Sequence, residues 1–334
     1  MLRNTLFAAA AVLFGNLPAH AKHVITTFDG PGATITFPYS INKAGSIAGY
    51  YWTSDGGSHG FVRTPDGTIT AFDPAGSTGT VAYSINDAGT IAGGYEGMYP
   101  QSHGFVRSAD GRIIGFDVPG AENTQAVGIN HAGFVTGSYR DSAGHGFVRA
   151  PDGTISAFDP PGGAGTSPGC PTSIGDGSAI NRKGFIAGCF GDGKGGHAFV
   201  RASDGEITAF DVPGGPYAVG INRKGAIAGS YQGQDFMQHG FVRAPDGTVT
   251  VIDVAGAVST QVLNMNDVGA IVGYWTDTDY MTEHGFVQTP TEKTKTFDCR
   301  GSTATYPLAI NDDGSVVGFC YTPTGAHGFL RTRQ

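Results

Sequence analysis

Short apolar runs divided by turn signals recur from one end of the chain to the other. Nowhere beyond residue 21 do apolar positions repeat with helical spacing. Residues 81–117 show the pattern. VAYSIN (81–86) leads into a D-A-G turn, TIAGGY (90–95) into a loop, HGFVR (103–107) into an A-D-G turn, and RIIGFD (112–117) ends the set. Each run has the length, alternation and β-branched or aromatic content of a half-buried strand, and D-G pairs are hairpin turn signals. The pattern therefore predicts four short antiparallel strands.

The same four-strand pattern returns along the chain. HGFVRTPDGTITAFD (59–73) recurs at 103–117, 145–159, 197–211, 239–253 and, more loosely, 284–298; a fragment, HGFLRT, stands at 327–332. The repeated His is residue 59, 103, 145, 197, 239, 284 and 327. The Asp of FD is 29, 73, 117, 159, 211, 253 and 298. The Asn of IN is 42, 86, 130, 181, 222, 266 and 311. Four-strand units at a mean period near 45 residues are the mark of a β-propeller, whereas solenoid repeats are usually shorter. The last unit lacks a fourth strand, and VITTFD (24–29) is a fourth strand with no unit before it. The expected fold is an all-β, seven-bladed propeller with four strands per blade, in which 24–29 pairs with 327–332, completes the last blade and removes the open edge. The units are placed at about 33–73, 80–117, 123–159, 171–211, 215–253, 258–298 and 303–331 plus 23–29, within one domain spanning 22–334.

Spacing separates constant from variable connections. His to Asp is 14 residues in all six intact copies, and Asn to the turn Gly is three. The loop between second and third strands varies, with Asn to His running from 15 to 18. The crossover between units runs from 11 to 22 residues, Asp to Asn. In an antiparallel unit both variable connections leave the same face, so that face is the expected place for function.

Taken together, the HGF/HAF, FDxPG and INxxGxIxG elements resemble the HAF family of probable extracellular repeats over essentially the whole mature chain. Only 197–199 reads HAF literally; the other copies read HGF. The resemblance implies export and a propeller-like repeat fold, and it carries no agreed catalytic residues.

The insistence of the repeat argues against its being the reactive motif. A 14-residue hairpin sets each His beside its Asp: His59–Asp73, His103–Asp117, His145–Asp159, His197–Asp211, His239–Asp253, His284–Asp298 and His327–Asp29. A pair copied in every unit reads as a structural clamp, and the Asn of IN as a turn residue. GDGKGG (191–196) fits a phosphate-loop pattern but opens no helix, so it is set aside. His131 lies in a turn on the constant face and reads as solvated.

The unrepeated chemistry lies in the variable loops. Trp52, Tyr99, Phe236, Trp275 and Tyr280, with Tyr51 and Tyr95 nearby, form a candidate ligand face for sugars or flat apolar groups. Asp55, Glu96, Asp141, Asp192, Asp235 and Asp277, with Asp279 and Glu283, are candidate hard-oxygen ligands for Ca²⁺ or another divalent metal at a channel mouth. The long crossover 160–179 could lie over that mouth as a lid.

Charge and cysteine content narrow the setting. Residues 1–21 have the form of a secretory signal: Arg3, the apolar run LFAAAAVLF, then Ala19-His20-Ala21. Their removal takes the net charge from −8 to −9, which disfavours nucleic acid and anionic membranes. Four cysteines in an exported chain predict disulfides Cys170–Cys189 and Cys299–Cys320 in a secreted or periplasmic protein. No run after the signal is long enough to span a membrane, and no nucleotide or organic cofactor motif is present. A monomer acting on a small molecule or glycan is expected. Two functions fit: a hydrolase of a small ester or lactone, with or without a divalent metal at the channel mouth, and a non-catalytic glycan- or protein-binding propeller using the aromatic loop face.

Overall fold

A computed structural model describes residues 23–97, 101–163, 166–168, 180–192, 195–212 and 214–333. The segment read above as a secretory signal, Tyr99, Cys170 and most of the 160–179 crossover lie outside these residues. Every element described is a β-strand. The strands pair antiparallel in sets of four. In the second set Gly79–Ile85, Ile91–Glu96, Ser102–Arg107 and Ile113–Phe116 follow one another across the sheet. The other sets lie within 33–72, 123–158, 166–210, 216–252 and 259–297. In the last set Ala304–Ile310, Val316–Thr322 and Gly325–Arg333 are followed in space by the N-terminal strand His23–Phe28. That strand runs antiparallel to Gly325–Arg333, with Thr27 opposite Phe329.

Most of the core lies between consecutive sets. The Phe of every HGF or HAF is fully buried. The Phe of FD in one set packs edge-on against it from the neighbouring set, as in Phe72–Phe105 and Phe116–Phe147, with centroids 5.9 Å apart in both. The Arg that ends HGFVR covers the other face of the same FD ring: Arg107 lies 4.8 Å from the Phe72 centroid and Arg149 4.9 Å from Phe116. A ring between a buried ring and a guanidinium adds a cation–π term of about 0.5–1 kcal/mol to apolar burial. The pattern continues across the two ends of the chain, where Phe28 meets Phe61 and Arg63.

The Asn of IN does more than turn the chain. Its Oδ1 accepts the backbone N–H four residues on, and its Nδ2 donates to the carbonyl of the next unit's Asn: Asn42 to Asn86, Asn86 to Asn130, Asn130 to Asn181, Asn181 to Asn222, Asn266 to Asn311, and Asn311 to Asn42. These side chains are buried. Cys299 and Cys320 form a disulfide that ties the start of the last crossover to the second strand of the last set.

Candidate functional site

Each repeated His sits where the second and third strands end on the variable-loop face. In all seven units its Nδ1 is hydrogen-bonded to the FD Asp, at 2.6 to 3.0 Å. In six units an aromatic ring on the second strand covers it: Tyr51, Tyr95, Tyr139, Phe190, Tyr231 and Trp275. The imidazole is thus oriented by a carboxylate and shielded by a ring, and this is repeated around the molecule.

The variable-loop carboxylates do not gather. Asp141 and Asp235 each accept a backbone N–H two residues on, from Ala143 and Met237, and each also meets Nε2 of its own unit's His, at 3.2 Å. Asp192 accepts the backbone N–H three residues on, from Gly195, and meets Nε2 of His197 at 3.2 Å. Asp277 lies 3.9 Å from Nε2 of His284, Asp279 caps Met281 and Thr282, and Asp55 bonds Thr53 and Gly57. Glu96 is exposed at the end of its strand. Each of these aspartates bonds within its own loop, and among the described residues no three His, Cys, Asp or Glu side chains stand together to hold a metal ion.

The candidate aromatics divide. Tyr51 is buried, and Trp275 lies over His284 with centroids 4.4 Å apart. Trp52, Phe236 and Tyr280 are exposed. Phe236 and Tyr280 hold left-handed backbone angles, φ 66° and 58°, at loop tips where the first unit has Gly56.

Sequence reasoning missed an aromatic arc on the first and second strands of four sets. Tyr83, Tyr39, Tyr50, Phe37, Phe319, Tyr306 and Tyr274 touch in succession, with centroids 4.7 to 5.8 Å apart, across the second, first, seventh and sixth units. Exposed Tyr321 and Trp52 flank it on the variable-loop side: Tyr321 packs on Tyr306, and Trp52 hydrogen-bonds Tyr50. The Tyr306 hydroxyl donates to Glu283, which is half-buried at the start of its strand. Burial pushes the Glu283 carboxyl above its ordinary value. Burial also raises the Tyr274 phenol, and the Glu283 charge adds to the effect. Tyr50 is raised by burial against opposing hydrogen bonds from Trp52 and Tyr39. A signal for this site was present in the columns of the repeat. The residue before each His is Ser58, Ser102, Gly144, Gly196, Gln238, Glu283 and Ala326, so only the sixth unit carries an acid there.

The constant face is constant only in backbone. The residue after each Asn is Lys43, Asp87, His131, Arg182, Arg223, Asp267 and Asp312. Arg182 reaches Asp87 at 2.6 Å and Asp267 at 3.3 Å, each two units away, while exposed His131 lies 3.7 Å from Asp87. The expectation of a uniform face is corrected: the turn geometry repeats, and the charged side chains it presents do not.

No family model matches the chain, and no curated protein does. Among solved structures it is similar to a streptogramin B lyase, with TM-score 0.60 and 13% identity, covering 93% of this chain and 98% of that one. It is similar to virginiamycin B lyase from Staphylococcus aureus, with TM-score 0.59 and 12% identity over 92% and 99%. It is also similar to the Pyrococcus horikoshii acylaminoacyl peptidase, with TM-score 0.58 and 11% identity over 90% of this chain and 52% of that one. At this identity the likeness gives the fold. The chain is a β-propeller. The Glu283–Tyr306 pair and its aromatic surroundings lie where the third strand of the sixth set meets the first strand of the seventh, with Glu283 opposite Ala304.

Proposed function

We propose that the chain is an exported seven-bladed propeller, closed by its N-terminal strand, that cleaves a small ester or lactone beside the aromatic arc, with Glu283 as general acid–base. Pairing of His23–Phe28 with Gly325–Arg333 and the Asn311–Asn42 bond support closure, and the Cys299–Cys320 disulfide fits an extracellular setting.

The observation that carries the catalytic reading is the half-buried Glu283 carboxyl, hydrogen-bonded by Tyr306 against a wall of aromatic rings. A carboxyl raised by burial keeps a protonated fraction nearer neutral pH. It can take a proton from an attacking water and return it to the departing alkoxide. Tyr306 orients the carboxyl, and the arc supplies an apolar wall for the substrate's hydrocarbon part. Fold similarity to two lyases and a peptidase makes a catalytic propeller reasonable; the ester or lactone substrate rests on the site chemistry alone.

The test is turnover of a panel of nitrophenyl esters and five- and six-membered lactones, with and without chelator, alongside metal analysis of the purified protein. Glu283→Gln is expected to lower kcat/KM by about 100-fold or more. Unchanged turnover in that variant overturns the assignment. A second reading, ligand binding without chemistry, is favoured by exposed Trp52 and Tyr321 beside the arc. It predicts glycan binding that Trp52→Ala abolishes and Glu283→Gln leaves intact.

A further inference from the structure

A cleft of about 260 Å³ opens between the third and fourth units on the Asn-turn face, the face opposite the variable loops. Its apolar lining includes Phe134, Val148 and Ile180, and its polar lining includes Lys183, Arg201 and Ser203. The cleft departs from the repeat. Ser203 stands where the first, third and fifth units have Pro65, Pro151 and Pro245, and Lys183 stands where the first three units have Ala44, Ala88 and Ala132. Phe134, 39% exposed, takes a position held by Ser46 and Thr90 in the two preceding units. The next junction has Phe185 and Lys224 in the same columns but keeps Pro245, so the uncovered ring, the cation and the loss of the proline meet at this junction.

The charge of the lining is as particular as its shape. It holds Arg182, Lys183 and Arg201 and no carboxylate, in a chain of net charge −8. Arg182 is committed to Asp87 and Asp267. Arg201 lies 5.0 Å from the Phe158 centroid, bonds the Ala202 carbonyl, and feels Asp204 from the adjoining turn. Its buried Nε lacks a partner, but so do those of Arg63, Arg107 and Arg149, so that atom belongs to the repeat. Lys183 is exposed, and no carboxylate is within ion-pair distance of its ammonium among the described residues.

We infer that this cleft binds a small organic anion with an apolar body, such as an aryl carboxylate, its ring against Phe134 and Ile180 and its carboxylate at Lys183. The volume lies just below the roughly 300–1,000 Å³ usual for ligand pockets, which limits the occupant to one ring or a short chain. One shallowly buried ring and one exposed ion pair together support an affinity of about 1 mM.

The probe is benzoate, followed by ligand-observed NMR titration of the whole protein, with benzyl alcohol as its uncharged counterpart. Benzoate is expected to saturate a single site near about 1 mM, and benzyl alcohol to bind about tenfold more weakly. Lys183→Glu should abolish benzoate binding, and Ser203→Trp, which fills the cleft, should abolish binding of both. Both positions lie in surface turns, and circular dichroism checks that each variant is folded. No saturation by about 10 mM overturns the inference, as does binding unchanged in Lys183→Glu. Binding lost in Lys183→Glu but kept in Ser203→Trp puts the anion on open surface and overturns the cleft assignment. Glu283→Gln should leave benzoate binding untouched, so this result stands or falls apart from the proposed reaction.

Discussion

A histidine between two carboxylates ties its protonation to folding. His145 has Asp159 on Nδ1 at 2.8 Å and Asp141 on Nε2 at 3.2 Å. The hydrogen bond to Asp159, aided by its charge and by Asp141, raises the imidazole above the ordinary 6.5. The folded state therefore holds the proton more tightly than the unfolded chain does. The resulting stabilisation is fully present below the unfolded value and is lost as pH rises through the folded value. His145→Asn is expected to lower the urea midpoint more at about pH 5.5 than at about pH 8.5. An equal loss at both pH values would remove this account. The Asp159 partner was legible because a fixed 14-residue hairpin sets it. The Asp141 partner was not. The second carboxylate lies four residues before the His in the third and fifth units, where the first has Asp55, and five before it in the fourth, so a column of the repeat displays it only in part.

Between elements, the recurring unit is the FD ring held by the next unit's Phe and Arg, and the sequence has one exception to the ring and one to the Arg. The fifth unit ends in Ile252 and not Phe, and the sixth has Gln288 and not Arg. Both exceptions fall at the same junction, so the cation and the ring it would cover are missing together. The double substitution Ile252→Phe with Gln288→Arg is expected to show a favourable coupling of about 0.5–1 kcal/mol in a double-mutant cycle by urea denaturation. Additive single effects would show that the ring and guanidinium do not meet there. The pairing of the exceptions was written in the sequence but carried no meaning until the register joined strand four of one unit to strand three of the next. The bulge in the first strand was less legible still. It recurs at the same place in six units and so leaves no change of spacing. Its trace is the constant glycine opposite, as at Gly137, where a Cβ would stand 1.8 Å from the Gln125 carbonyl oxygen. The candidate site was legible only in its parts. Trp52 and Glu283 were visible as unrepeated loop residues. The arc was not, because its tyrosines and phenylalanines come from strands far apart in sequence and read locally as ordinary strand residues.

At the scale of the whole molecule, the two chain ends meet in one unit. Phe28 supplies the ring that Phe61 and Arg63 enclose, Asp29 supplies the carboxylate for His327, and six consecutive residues pair with the last strand. The Asn311–Asn42 bond crosses the same junction nearer the centre. Pairing of the first strand with the last thus joins backbone hydrogen bonds, core packing and a hydrogen bond to a carboxylate in one short segment. Deleting residues 23–29 removes all three and leaves the edge of Gly325–Arg333 open to another chain. The truncated protein is expected to lose at least about 3 kcal/mol, the scale of a large core truncation, and to self-associate as its concentration rises. Asp29→Asn, which keeps the strand and weakens only the His327 contact, should remain monomeric and lose far less. Urea denaturation and sedimentation velocity on the two proteins decide the matter. A truncated protein that stays monomeric with an unchanged urea midpoint would mean that the ring does not depend on its first strand.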